Sequence, residues 1–275
     1  MKAEQLGEKP LQQTVSLLEG GWTSLPRKEN ARWLLPRAHR SVVASSLSIY
    51  QPVTLKGLAG WKVARMLAAV GGFQALPRGG TPPTEVLAAL APHLPVGGTM
   101  AISRGVNPGR TVALLITAEG RLHSVGKVAT DEPMRLALAK EVQALATLAP
   151  HLPKPLVAPE VLAHDDGVIL LEVVDWRPRL RPWQMPEEVA QALGAFFSKG
   201  AHKNNALAGY AHGDCAPWNL FWTARGSWAL LDWEHAHTDA TPFFDLFHYA
   251  VMAHSLLGLP SHQAILEGLT GRGAF

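Results

Sequence analysis

The chain has a single cysteine, Cys215, in 275 residues. That excludes a disulfide framework and suits a reducing compartment. Long apolar runs are missing too. No stretch approaches the roughly 20 consecutive apolar residues that cross a bilayer, and Met1 to Pro10 holds no apolar signal core. These absences together predict a cytoplasmic protein without stable membrane insertion. Two catalytic signatures are also lacking. Without G-x-x-x-x-G-K-[ST] there is no P-loop, and without G-x-S-x-G a hydrolase built on His212 and a serine has no nucleophile elbow. No nucleic-acid-binding motif occurs, and the basic residues are scattered rather than gathered in a stripe, so no nucleic-acid partner is expected.

What is present is enough for a core: 47% of residues are hydrophobic, and no long stretch has the composition of disorder. The net charge of +3 conceals an asymmetry. Residues 1–95 carry 11 Lys/Arg against 5 Asp/Glu, and residues 96–275 carry 14 against 17. A solvated basic surface accounts for the first figure, and the second is too slight to indicate a cationic ligand. We find no internal repeat and no low-complexity run.

The most informative stretch is His212-Gly213-Asp214-Cys215-Ala216-Pro217-Trp218-Asn219, followed by Asp232-Trp233-Glu234. Leu220-Phe221-Trp222 and Ser227-Trp228-Ala229-Leu230-Leu231 are short apolar strands around a Gly-containing turn, which predicts a hairpin. A hairpin brings its ends together, so Asn219 and Asp232 are expected close in space. Two hard oxygen donors suit Mg²⁺. Asp214 is then placed to take a proton from an incoming hydroxyl, which completes the parts of a kinase-type phosphoryl-transfer site. The plainer use of the same residues is a surface hairpin whose polar groups serve its turn.

His-Gly-Asp, an Asn five residues on, and a strand ending in Asp-Trp-Glu resemble the aminoglycoside phosphotransferase / choline kinase-like superfamily, over about residues 96–255. The resemblance implies an α+β, protein-kinase-like two-lobe fold: an antiparallel-sheet N-lobe with hinge at 96–175 and a mainly helical C-lobe at 176–275. Residues 1–95 would be an α/β N-terminal extension of unclear role. It also implies ATP and Mg²⁺ as cofactors and a small-molecule hydroxyl as acceptor. Asp214 would be the catalytic base, with His212 and Asp245 bracing its loop, and Asn219 and Asp232 would hold the metal. Lys127, paired with Glu141, would contact the α/β-phosphates. The backbone of about Glu172 to Val174 would meet the adenine edge. Gly105, with Gly109, would let backbone N–H groups approach phosphate.

The chain in order fits that frame. Thr14 to Leu18 is a short apolar stretch, and Arg32–Pro36 and Ser41–Tyr50 read as strands. Leu55 to Val70 reads as a basic amphipathic helix. Such a helix can lie on a membrane surface, but packing on its own domain is the commoner use and the one expected here. Strands follow at 98–104, 111–117 and 122–129, then a helix from Glu132 to Leu148, a Pro-rich connection at 150–159, a strand at 168–175 and a linker at 176–185. Helices are expected over 186–201 and 248–259. The two histidines of His235-Ala236-His237-Thr238-Asp239 have no partner set to complete a zinc site. The family usually continues with further helices, so this C-lobe looks short. The alternative function is a non-catalytic, kinase-like nucleotide-binding or scaffold protein, which loss of a catalytic group would favour. Lys127, Asp214, Asn219 and Asp232 are all present.

Overall fold

Short apolar runs bounded by turns fold as strands here, and Ala/Leu-rich runs fold as helices. The computed structural model describes residues 21–25, 31–105, 108–201, 208–260, 262–263, 266 and 270. Its strands are β1 (Trp22–Leu25), β2 (Trp33–Pro36), β3 (Thr99–Arg104), β4 (Arg110–Ile116), β5 (Leu122–Ala129), β6 (Leu156–Val157), β7 (Val161–Asp165), β8 (Val168–Leu171), β9 (Trp176–Arg177), β10 (Gly209–Ala211), β11 (Leu220–Thr223), β12 (Trp228–Leu230) and β13 (His237–Ala240). The α-helices are α1 (Arg40–Ser46), α2 (Leu55–Ala69), α3 (Thr84–Leu90), α4 (Glu132–Thr147), α5 (Glu187–Gly200) and α6 (Phe244–Leu256). The chain divides into two compact units. Met1–Tyr50, Ala59–Leu138 and Leu162–Val173 form the first, and Gln51–Leu58, Ala139–Val161 and Val174–Phe275 form the second.

The first unit is organised by a seven-stranded sheet in the order β1-β2-β3-β4-β5-β8-β7. Strands β3, β4 and β5 form the expected antiparallel meander, with Met100 opposite Leu115 and Val112 opposite Lys127. Strand β8 pairs with β5 and sets Ile169 opposite Lys127, so the strand carrying this lysine has a neighbour on each side. Successive side chains alternate between two apolar layers. Met100, Ile102 and Leu115 join Leu87 and Leu90 on one face, while Ala101, Leu114 and Ile116 join Val42, Val43 and Leu47 on the other. Helix α3 packs so closely on the sheet that a Cβ at Gly126 would lie 2.7 Å from Leu90 Cδ2.

Residues before 96 contribute directly to this sheet. Strand β2 pairs with β3, setting Leu34 opposite Ile102, and α3 buries Val86, Leu87 and Leu90 in its core. The strand expected over Ser41–Tyr50 is instead α1 followed by a 3₁₀ turn at Leu47–Ile49. The reason is burial at helical spacing: Val42, Val43, Ser46 and Leu47 face inward. The His39 side chain accepts from Ser41 N–H at the start of the helix. β-Branched residues yield to tertiary packing in such a setting. Thr14 to Leu18 lies outside the described residues.

The second unit contains a four-stranded sheet in the order β6-β12-β11-β9 and a two-stranded sheet of β10 and β13. The Pro-rich connection includes β6, which runs parallel to β12. The linker includes β9, antiparallel to β11. The strand expected to run to Asp175 stops at Leu171. Helix α5 buries Val189, Leu193 and Phe196. Phe196 makes an edge contact with Trp233, ring centroids 6.2 Å apart.

Candidate active site

Strand β10 delivers the chain to His212 and then to Gly213, whose φ is +81°. A Cβ at Gly213 would stand 2.1 Å from the His235 carbonyl oxygen, so only glycine fits this approach. The loop is held from the first turn of α6. Asp245, itself buried, accepts hydrogen bonds from the backbone N–H of His212 (2.8 Å) and of Gly213 (3.0 Å). Both bonds are charge-assisted, the stronger kind.

Strands β11 and β12 form the expected hairpin, with Leu220 opposite Leu230 and Trp222 opposite Trp228. Beyond the last pair, Leu231 N–H donates to Asn219 C=O at 3.0 Å, so Asn219 and Asp232 sit at the same end of the hairpin. Asn219 Nδ2 donates to Asp214 Oδ2 (2.9 Å) and to the Asp214 carbonyl (3.0 Å). The other carboxylate oxygen, Oδ1, lies 2.9 Å from His248 Nε2. An ionised carboxylate only accepts, so the Nε2–H form of His248 is the donor. Asp214 is thus gripped at both oxygens.

Asp232 has φ 70° and ψ 68°, the left-handed region. A non-glycine residue held there is backbone strain of the kind that collects at functional sites. The donor set fits Mg²⁺ in chemistry: a carboxylate from Asp232, and a carboxamide oxygen that the two Asn219 Nδ2 bonds leave uncommitted.

The His212 ring is sealed rather than presented. It is fully buried, packs edge-on against Trp233 with centroids 4.9 Å apart, and neither ring nitrogen makes a hydrogen bond of ordinary geometry. Burial pulls its pKa below the usual histidine value, against the opposing pull of the Asp245, Asp214 and Asp232 carboxylates. Its backbone N–H, not its ring, makes the bracing bond. Cys215 is buried as well. Desolvation, and then the Asp245 and Asp214 carboxylates, push its thiol pKa well above the ordinary value.

Lys127, Gly105 and Glu172 belong to the first unit, whereas Glu141 and Val174 belong to the second with the loop residues. Lys127 is buried on β5, Glu141 is fully buried on α4, and Glu172 and Val174 are half-buried just beyond β8. Gly105 is exposed at the end of β3. Gly109 also makes a close approach within the chain. A Cβ there would lie 1.8 Å from Asp131 Oδ2, so the close approach is made by the chain's own carboxylate. Asp131 Oδ1 in turn accepts from Met134 N–H at the start of α4.

Two residues were missed in the sequence. His248 follows Asp245 by three positions on α6, a spacing that sets both on one side of a helix, and that was its only signal. Arg179 had none, because it acts through backbone. Its guanidinium donates to the Leu220 and Gln184 carbonyls and to the Tyr249 hydroxyl and stacks 4.8 Å over the Trp228 ring. The Tyr249 hydroxyl donates to the Pro182 carbonyl at 2.5 Å. Burial raises its pKa to about 12, although Arg179 works in the opposite direction.

No family model matches the chain, and no curated protein matches it. Solved structures to which it is similar include kinases and phosphotransferases. Macrolide 2'-phosphotransferase MphH from Brachybacterium faecium shares 18% identity over 68% of this chain and 83% of that one, with a TM-score of 0.43. The bifunctional kinase-methyltransferase WbdD shares 20% identity over 54% of this chain, with a TM-score of 0.40, and this chain spans 35% of its length. The Rio2 kinase of Chaetomium thermophilum, solved with ADP/Mg²⁺ and phosphoaspartate, shares 14% identity over 82% of this chain and 85% of that one, with a TM-score of 0.41. The α+β class expected for the chain stands on its own element order: an antiparallel meander, a helix, a strand returning beside the meander's third strand, and a second unit with the loop and hairpin.

Proposed function

We propose that this chain is an ATP- and Mg²⁺-dependent phosphotransferase of the aminoglycoside phosphotransferase / choline kinase-like superfamily, acting on a hydroxyl group of a small molecule. The observation that carries the reading is Asp214, fixed at one oxygen by Asn219 and at the other by His248. Each of those oxygens keeps a further acceptor site, since a carboxylate offers about four lone-pair positions. An acceptor hydroxyl donating to one of them would be oriented for in-line attack, with Asp214 taking its proton as the new O–P bond forms and the bond from the γ-phosphorus to the departing ADP breaks.

Asn219 and Asp232 would hold the metal, which when bound neutralises charge on the transferring phosphoryl group. Lys127 is assigned to the α/β-phosphates, with Glu141 as the partner that the resemblance implies, and the backbone at Glu172 to Val174 to the base. Asp245 keeps the loop backbone in place, and the His212 ring supports that loop by packing on Trp233. Most of the catalysis is then positioning and electrostatics, because this transfer asks little covalent chemistry of the protein.

Calorimetry of Mg²⁺·ATP binding to wild type and to Asp232→Ala tests the reading, with slow ATP hydrolysis followed in wild type and Asp214→Ala. The expected result is Mg²⁺-dependent binding lost in Asp232→Ala, and background hydrolysis lost in Asp214→Ala while that variant still binds nucleotide. A folded wild-type protein that binds no nucleotide would overturn the enzyme. Binding without any hydrolysis or transfer would leave the kinase-like nucleotide-binding protein.

A further inference from the structure

Helix α2 is apolar on two sides. One side packs on the first unit: Ala68 is buried, Ala64 packs partly against the cluster around Val42, Leu47 and Ile116, and Trp61 Nε1 donates to the Leu47 carbonyl at 3.0 Å. The other side faces solvent. Val63 is 56% exposed, Met66 72%, Leu67 46% and Val70, in the turn directly after the helix, 79%. Their spacing of i, i+3, i+4 and i+7 makes one continuous stripe along the helix axis. Single exposed apolar residues need no explanation, but a contiguous apolar patch marks an interaction surface.

The charges around the stripe say what kind of surface it meets. Lys62 and Arg65 are exposed on the same helix, and the Arg65 guanidinium lies 4.8 Å over the Trp61 ring. Lys56 is exposed on the helix as well, and the helix carries no acidic residue. An apolar stripe on a helix whose only charged side chains are positive complements a surface that is both oily and anionic. We propose that α2 docks the protein on an anionic lipid bilayer, lying parallel to the membrane plane. Val63, Met66, Leu67 and Val70 seat at the boundary between headgroups and acyl chains, and the basic residues meet lipid phosphates and carboxylates. The helix rests on the bilayer and does not cross it, in keeping with its 15 residues. This inference is independent of the phosphoryl-transfer reading.

The test is co-sedimentation of the full chain with vesicles of phosphatidylcholine alone and of equal parts phosphatidylcholine and phosphatidylserine. Wild type is expected to partition at least about tenfold more strongly into the anionic vesicles, and to be released by salt. Two variants change only exposed side chains and should keep the wild-type thermal transition: Met66→Ser with Val70→Ser, and Lys56→Glu with Lys62→Glu. Each should lose about tenfold or more of the anionic-vesicle binding. Equal binding to both vesicle types, no binding, or binding unchanged in both variants overturns the proposal. A wild-type protein that ignores vesicles but self-associates, and becomes monomeric in Met66→Ser with Val70→Ser, also overturns it and assigns the stripe to a second copy of the chain.

Discussion

Replacing Gly213 with alanine should damage this protein more than its single added methyl group suggests. Two costs add. The residue has φ +81°, and an L side chain in the left-handed region costs roughly 1–2 kcal/mol. The new Cβ would also fall 2.1 Å from the His235 carbonyl oxygen and 2.7 Å from its carbonyl carbon. Backbone atoms cannot swing aside as the end of a long side chain can, and overpacking of this kind costs about 1–3 kcal/mol. The sum is roughly 2–5 kcal/mol. It falls on the loop that holds Asp214, so the proposed phosphoryl transfer should fail with it. Two other glycines separate the terms. Gly226 has φ +76° with nothing within 4 Å of a Cβ, so Gly226→Ala carries only the conformational cost. Gly194 lies inside α5, also with nothing within 4 Å, and Gly194→Ala should stabilise by about 0.5–1 kcal/mol. Urea unfolding of all three, followed by tryptophan fluorescence, gives the ranking directly. If Gly213→Ala unfolds within about 0.5 kcal/mol of Gly226→Ala, a difference expected of an ordinary surface change, the close approach to His235 has no energetic weight and the reasoning is wrong.

The other predictions concern side chains. His248→Phe keeps a ring but removes the donor to Asp214. A hydrogen bond to a charged group is worth about 1.5–3 kcal/mol, so kcat should drop about 10- to 100-fold with nucleotide affinity unchanged. His248→Gln should recover part of that loss, and equal loss in both variants would rule out the donor role. His212 has a folded pKa below its ordinary value of 6.5. The unfolded chain therefore binds a proton that the folded one refuses, and stability should decline as pH falls through about 6.5. Urea midpoints measured across that range should show a shallower slope in His212→Gln, and an unchanged slope would exclude His212 as the source. Cys215, buried and with its thiol pKa raised, should resist alkylation in the native protein and react in urea. Native labelling at the unfolded rate would mean that the loop opens freely.

The hairpin was legible because its information is local. Thirteen residues separate Asn219 from Asp232, and apolar strands on either side of a turn leave little freedom in how they pair. Helix α5 was legible from its 3.6-residue period, and the meander from apolar runs separated by Gly-containing turns. Ser41–Tyr50 was misread because β-branched residues and serines there suit either structure, and burial of Val42, Val43, Ser46 and Leu47 decided for a helix. The pairing of β2 with β3 spans about seventy residues of sequence, and no pattern within β2 names its partner. The contact between His248 and Asp214, at a separation of 34 residues, depends on how α6 is placed. Two of the partners of Arg179 are carbonyl oxygens, which every residue possesses, so those contacts leave no trace in the sequence.

The hairpin bearing Asn219 and Asp232 has neighbours along both edges, β6 beside β12 and β9 beside β11. A lone ribbon can slide by one residue and turn its side chains to the opposite face. This one cannot slide without breaking two further ladders, so its tip can be altered without disturbing its base. Gly226 in that tip has open space around it. The turn between Thr223 and Ser227 is consequently the place to insert a fluorophore or an affinity tag, a handle that reports on the loop's surroundings while the register of Asn219 and Asp232 stays as it is.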